Sequence, residues 1–346
     1  MQELNYLEET IEGFIEKHLD KSKLDSLLNK RKKYFTIGII LCLIAIVGFG
    51  LIILLFSNIE FEMGLIVFLI LSAIDLIAVI LGVKFFSKSK RIRKSVFDYI
   101  NQIEWQDIYN ESFEALVKEI ANPFIKKVKF INLERTYINS LFKKYYGSPW
   151  SFLANYTFFR ANEKRNCLNF SFEDKLVNYQ FNQTVRTVEE KKRKTKNGTK
   201  TIYVHNFVAT TILRVENKKF DTSYNGIVIL PGKSKKDNYN TESMQFNEKY
   251  NINVSNTDLR GPKFLRPKYI DNLTMKNTKN LSGIAIVTDF IVGHQYVSKN
   301  NIWTEICIFD KEASFSTSKI IKGFAKKVIS DINNALEALT FLDGIY

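Results

Sequence analysis

The chain has 346 residues, a formal net charge of +14 and only three cysteines. Cys42, Cys167 and Cys307 lack pair spacing, which excludes a disulfide-stapled scaffold and fits a reducing compartment. A charge of +14 would point a wholly soluble protein toward nucleic acid, but two long apolar runs bring an anionic membrane surface into competition for it.

Residues 1–33 read as an amphipathic helix on the cytoplasmic side. Leu4, Leu7, Ile11, Phe14, Ile15, Leu19, Leu24, Leu27 and Leu28 recur at three- and four-residue steps, which puts them on one stripe. Glu3, Glu8, Glu9, Glu12 and Glu16 would be repelled by an anionic surface. Packing on a later helix of the chain, or in a coiled coil, is therefore favoured over lying on lipid.

Residues 34–86 read as a transmembrane helical hairpin, with apolar runs at 34–56 and 63–86 and the polar link Ser57-Asn58-Ile59-Glu60-Phe61-Glu62. A helix of about 23 residues is about 35 Å long, enough to cross a hydrocarbon core of about 30 Å with some tilt. The first run has no charge, and the second has only Asp75 and, near its end, Lys84. A buried core helix and a cleaved signal peptide fit this length less well. A lipoprotein reading of Cys42 fails because Leu41 precedes it where a small residue is expected. Lys30, Arg31, Lys32 and Lys33 precede the first run, and Lys88, Lys90, Arg91, Arg93 and Lys94 follow the second. The positive-inside rule then places both termini in the cytoplasm, making this a multi-pass protein of the cell membrane.

Asp75 is the candidate intramembrane polar site. The structural reading is a protonated or helix-buried carboxyl without a transport role, its insertion cost carried by the surrounding Ile and Leu residues. The functional readings are an ion or proton site, or a polar contact in a homo-oligomer. Ala78 and Gly82 form a small-xxx-small pair that lets helices approach closely.

Residues 87–121 hold the basic juxtamembrane segment and a stalk helix over 95–121, with Val96, Ile100, Ile103, Ile108, Leu116, Val117 and Ile120 on its apolar face. Pro123 closes it. Beyond Asn122 the period changes to two. Leu168, Phe170 and Phe172 alternate with Asn169 and Ser171, and Val177, Tyr179 and Phe181 with Asn178 and Gln180. Further strand-like runs lie at 202–204, 227–230, 250–254, 284–292 and 302–309. Together they predict an antiparallel sheet of about six to eight strands. Asn197-Gly198 signals a hairpin turn, Pro267 opens a short helix, and Ser316 or Thr317 caps a final helix. That helix places Ile320, Phe324, Val328, Ile332, Leu336 and Leu339 on one face. Residues 122–346 are thus a cytoplasmic α+β domain, mainly an antiparallel sheet closed by a C-terminal helix.

No catalytic motif, metal-ligand spacing, glycine-rich phosphate loop or nucleophile elbow stands out, so no cofactor is expected. His18, His205 and His294 are far apart in the chain, and Asp289 and Asp310 form no pair in sequence. An enzyme would need a site assembled in three dimensions from His205, His294, Asp289, Cys167 or Cys307. A lone strand cysteine is more often core.

The strongest charge feature is Lys191-Lys192-Arg193-Lys194-Thr195-Lys196, expected at the tip of the Asn-Gly hairpin. Lys191, Lys192, Arg193, Lys194 and Lys196 are candidate lipid-binding residues for anionic headgroups. A solvated tip that keeps a sheet edge soluble is the commoner role for such a run. Nucleic acid is disfavoured, because no aromatic residues are interleaved with the run. Arg260, Lys263, Arg266 and Lys268 form a second basic patch around Pro262 and Pro267.

Several stretches after Phe124 carry a likeness. They are Asn139-Ser140-Leu141-Phe142 before Tyr145-Tyr146-Gly147, Lys196-Asn197-Gly198-Thr199-Lys200, Ile229-Leu230-Pro231, 246–254 followed by Asp258, and Leu265-Arg266-Pro267. With the N-terminal helix, closely spaced membrane helices and stalk, the layout resembles an uncharacterised bacterial membrane family, domain of unknown function 3137. The family's aromatic-x-Gly step after the hairpin is missing, since Asn206-Phe207-Val208-Ala209 has no glycine. The resemblance implies two N-terminal membrane helices and a cytoplasmic β-rich domain, and no activity, substrate or cofactor.

The reading that follows is a non-enzymatic, membrane-anchored module whose α+β domain binds a protein partner or anionic lipid. The alternatives are a small oligomeric channel or transport component built around Asp75, and an enzyme with a site invisible in sequence.

Overall fold

A computed structural model describes residues 2–56, 61–137, 164–181, 185–195, 198–208, 211–276, 283–287, 290–295 and 315–346. The chain is α+β and divides into two compact units, residues 1–104 with 306–326, and residues 105–305 with 327–346.

The first unit begins with α1 (Gln2–His18), α2 (Lys21–Phe56) and α3 (Phe61–Asn101). The stripe expected as one helix over 1–33 is divided at Asp20, and its second half is continuous with the first apolar run. Asp20 Oδ1 accepts hydrogen bonds from Ser22 Oγ at 2.7 Å and from the Lys23 amide at 3.0 Å. This is an N-cap that satisfies donors at the start of α2. The Tyr99 hydroxyl of α3 accepts from the Asp20 amide at 2.9 Å and donates to its carbonyl at 3.2 Å, tying the foot of α2 to α3.

Helices α2 and α3 pack as an antiparallel hairpin. Tyr34 stacks on Phe85 at 5.8 Å between centroids, Phe35 meets Phe86 edge-on at 5.6 Å, and Ser89 Oγ donates to the Arg31 carbonyl at 3.4 Å. Glycines let the backbones close. A Cβ at Gly38 would lie 3.0 Å from the Phe86 ring, and one at Gly82 would lie 3.2 Å from Cys42 Sγ. The final helix, α8 (Thr317–Thr340), gives residues 317–326 to this unit. Its Lys322 and Lys326 ammonium groups each lie 3.7 Å from Glu8 of α1. Thr317 Oγ1 donates to Asp25 Oδ1 at 2.5 Å.

Helix α3 stops at Asn101, and α4 (Trp105–Glu119) starts the second unit, so the stalk expected over 95–121 is two helices. Among the described residues, the second unit holds an eight-stranded, wholly antiparallel sheet and a separate two-stranded ribbon. The strands are β1 (Val128–Tyr137), β2 (Lys164–Phe172), β3 (Lys175–Phe181), β4 (Val185–Thr195), β5 (Gly198–Val208), β6 (Thr211–Glu216), β7 (Val228–Pro231), β8 (Tyr250–Ile252), β9 (Ile284–Val287) and β10 (Phe290–Gln295). The large sheet runs β1-β2-β3-β6-β10-β9-β7-β8. The run at 284–292 is therefore an antiparallel pair rather than one strand. The run at 302–309 lies outside the described residues.

Strand β1 forms one edge of the sheet. Its pairing with β2 shifts register between Phe130 and Asn132, and the Gln106 side chain of α4 bonds the backbone there. The amide donates to the Ile131 carbonyl at 3.1 Å and accepts from the Leu133 amide at 2.8 Å. A bulge with its backbone groups occupied is a poor template for a further strand. Phe113 of α4 packs against Phe130 and Phe170.

Short helix α5 (Met244–Lys249) lies between β7 and β8, α6 (Arg260–Phe264) and α7 (Pro267–Met275) follow β8, and Pro267 opens α7 as expected. Ser316 caps α8, accepting from the Lys319 amide at 3.4 Å. The apolar stripe of α8 is buried at all six expected positions. Inside the second unit, buried Tyr109 donates to Asp331 Oδ2 at 2.7 Å, and Lys327 holds the same carboxylate at 2.8 Å.

Burial raises Tyr109 and Tyr269 well above the usual tyrosine value, with the Asp331 charge adding to the shift at Tyr109. Burial pushes Tyr250 up to about 12. Folded values above the unfolded one near pH 10 mean that this stability is complete below pH about 10 and is lost as pH rises through the folded values. Alkaline titration followed by circular dichroism and tyrosinate absorbance should show unfolding coupled to ionisation. Tyr250→Phe should flatten the slope by up to about 1.4 kcal/mol per pH unit. An unchanged slope would contradict the burial of its ionisable group.

Candidate functional site

Three places gather polar chemistry, and each is set by pairing between distant residues. The first is the hairpin seam at Asp75. A Cβ on Gly48 of α2 would collide with Asp75 Oδ1 and lie 2.8 Å from Oδ2, so the absence of a side chain there makes the room the carboxyl occupies. Buried Asp75 Oδ2 accepts no hydrogen bond among the described residues. Asp75 also lines an apolar groove on each flank of the hairpin. One groove includes Ile44, Val47 and Leu71, and the other Ile46, Phe49 and Leu76. Insertion of an Asp at the centre of an apolar helix costs about 2.5–3.5 kcal/mol, so its position needs a reason.

The second place is the ribbon β4–β5, which is inserted between the neighbouring strands β3 and β6. Register pairs Thr195 with Gly198 (φ +119°), so Lys191, Lys192, Arg193 and Lys194 lie along β4 and not at the tip of the hairpin. Lys191 pairs with Ile202, Lys192 with Thr201, Arg193 with Lys200 and Lys194 with Thr199. Lys196 lies outside the described residues. In the second basic patch, Arg260 makes a bidentate pair with Asp258 at 2.6–3.0 Å, which holds that carboxyl below the usual carboxylate range.

The third is a polar row across β1, β2, β3 and β6, formed where Asn132, Asn169, Asn178 and Arg214 share one register position. Asn169 donates to Asn132 at 2.7 Å, Asn178 to Asn169 at 2.6 Å and Arg214 to Asn178 at 2.6 Å. Asn169 and Arg214 are buried, and Cys167 beside them is fully buried and also bonds Asn178. The signal was the recurrence of Asn at one register position of neighbouring strands, readable only once the pairing is known.

The other candidates are not drawn together by the described topology. Cys167 is on β2 and His294 on β10, where it is the extra residue of a bulge opposite β6, whereas His205 is on β5 of the ribbon. Asp289, Cys307 and Asp310 lie outside the described residues. Among the described residues no cluster of His, Cys, Asp and Glu could hold a metal ion.

The fold and these sites define an α+β chain whose packed helices α2 and α3 are long and apolar enough to cross a membrane. Comparison with protein-family models, with curated proteins and with solved structures returned no match.

Proposed function

We propose that the protein is a membrane-anchored, non-enzymatic module that holds an α+β interaction domain at the cytoplasmic face. The observation that supports it best is the exposure of the hairpin. Within their most apolar windows only 17% and 11% of residues are buried, the opposite of core helices. Ile46, Val47, Leu76 and Val83 are 61–68% exposed, an apolar surface that lipid would cover. In the sequence, basic clusters at 30–33 and 88–94 flank the two apolar runs and the link between the runs carries Glu60 and Glu62, a charge pattern that favours both termini inside. Alkaline carbonate extraction of native membranes tests the anchor. The intact chain should stay in the pellet and enter solution only with detergent, and recovery without detergent would refute it.

The ribbon is the domain's contact with anionic headgroups in this reading. Four cations stand in succession on β4, and each one that comes near an anionic leaflet adds about 1 kcal/mol of attraction. The full chain in phosphatidylglycerol nanodiscs should be cut by trypsin at 191–194 severalfold more slowly than in phosphatidylcholine nanodiscs. High salt should abolish the difference. Equal rates at low salt would remove lipid as the ribbon's ligand and leave a protein partner.

A further inference from the structure

We infer that the Asp75 groove is the docking site for a transmembrane helix of a different protein, one that carries a lysine or arginine at mid-membrane. This rests on the membrane-anchor reading and deepens it by naming the chemistry of the partner.

Asp75 is at the midpoint of the apolar run 63–86, about 17 Å from either end, beyond the reach of headgroups and water. Its Oδ2 accepts no hydrogen bond among the described residues, and the helix beside it offers Gly48, which brings no side-chain donor. The residue lines the groove on both flanks, among side chains that are aliphatic on one flank and, on the other, include Phe49, Cys42 and Ser72. A carboxyl so placed calls for a hydrogen-bond donor, and a donor that also carries positive charge stabilises it most.

A second copy of the chain cannot supply it. Residues 34–83 contain no Lys, Arg or His, so a paired hairpin would add another Asp75 to the same depth. Lipid tails carry no donor. A long cationic side chain from another helix satisfies both the hydrogen-bond deficit and the charge, and its aliphatic stem matches the groove walls.

The test places a photo-crosslinking amino acid at Val47 or Leu71 in the full-length chain in native membranes, with adducts identified by mass spectrometry. The expected adduct is an apolar helical segment of another protein with a central Lys or Arg. Its yield should fall about tenfold in Asp75→Asn, which keeps the shape at Gly48 and removes the charge. Exchanging the charges, with Asp75→Lys here and the partner's cation replaced by Asp, should restore it. Adducts only to lipid or to a second copy, or the same yield in Asp75→Asn, would overturn the inference. Carbonate extraction of the same samples separates the two readings. A chain that resists extraction but gives no such adduct loses only the partner, whereas a chain released without detergent loses the anchor as well.

Discussion

Lys327→Met is expected to destabilise the second unit by about 3–5 kcal/mol, the range for breaking a buried ion pair from one side. Lys327 and Asp331 have only 8% and 10% of their side chains exposed, so water cannot take over the carboxylate when the ammonium is gone. The Tyr109 hydroxyl alone would then hold a buried negative charge. Tyr109→Phe should cost less, about 1.5–3 kcal/mol, because it removes one hydrogen bond to a charged group and leaves the ion pair. The double variant Lys327→Met with Asp331→Leu should recover most of the loss, since two apolar groups need no partner. Pulse proteolysis of the detergent-solubilised chain across a urea series measures all three. If the double variant is as unstable as Lys327→Met, the loss comes from packing and not from an unpaired charge.

The second large effect is expected in the hairpin. Gly48→Ala puts a methyl group where the Asp75 carboxyl sits, and with a short side chain and helices on both sides the carboxyl must leave the seam. Facing lipid costs about 2.5–3.5 kcal/mol on insertion scales, above the roughly 1.4 kcal/mol of a tenfold change. The nearness of Gly82 to Cys42 supplies a reporter. With Gly82→Cys, oxidation should join the two helices, because a Cβ at position 82 lies 3.2 Å from Cys42 Sγ. Adding Gly48→Ala should reduce that disulfide by more than about tenfold, and adding Asp75→Ala as well should restore it. A disulfide yield unaffected by Gly48→Ala would show that the carboxyl is not confined between the helices.

Both predictions concern carboxylates whose partners are remote in sequence, and this separates what could be read from the chain from what could not. Asp331 was one acid on a helix with a clear apolar stripe, and Tyr109 lay on another helix 222 residues away. Asp75 stood out at once as a carboxyl in an apolar run, but nothing marked Gly48 as the residue that gives it room. The alternation around Asn169 and Asn178 placed them on the polar side of their strands correctly. It could not show that Asn132 and Arg214 share their row, because that depends on β6 pairing with β3 across an inserted ribbon.

The sequence by itself determined the features that repeat within a few residues. These were two apolar runs of membrane length, the stripe of the last helix, Pro267 at a helix start, and a change to period two after Asn122. Each follows from the geometry of one helix or strand, so a window of the chain carries it. Tertiary structure decided the break at Asp20, the division of 284–292 into two strands, the burial of the Asn–Arg row and the seating of Asp75 against Gly48. Those depend on which distant backbone or side chain fills a residue's unsatisfied hydrogen bond or empty volume, and contact between remote residues leaves no period in the sequence.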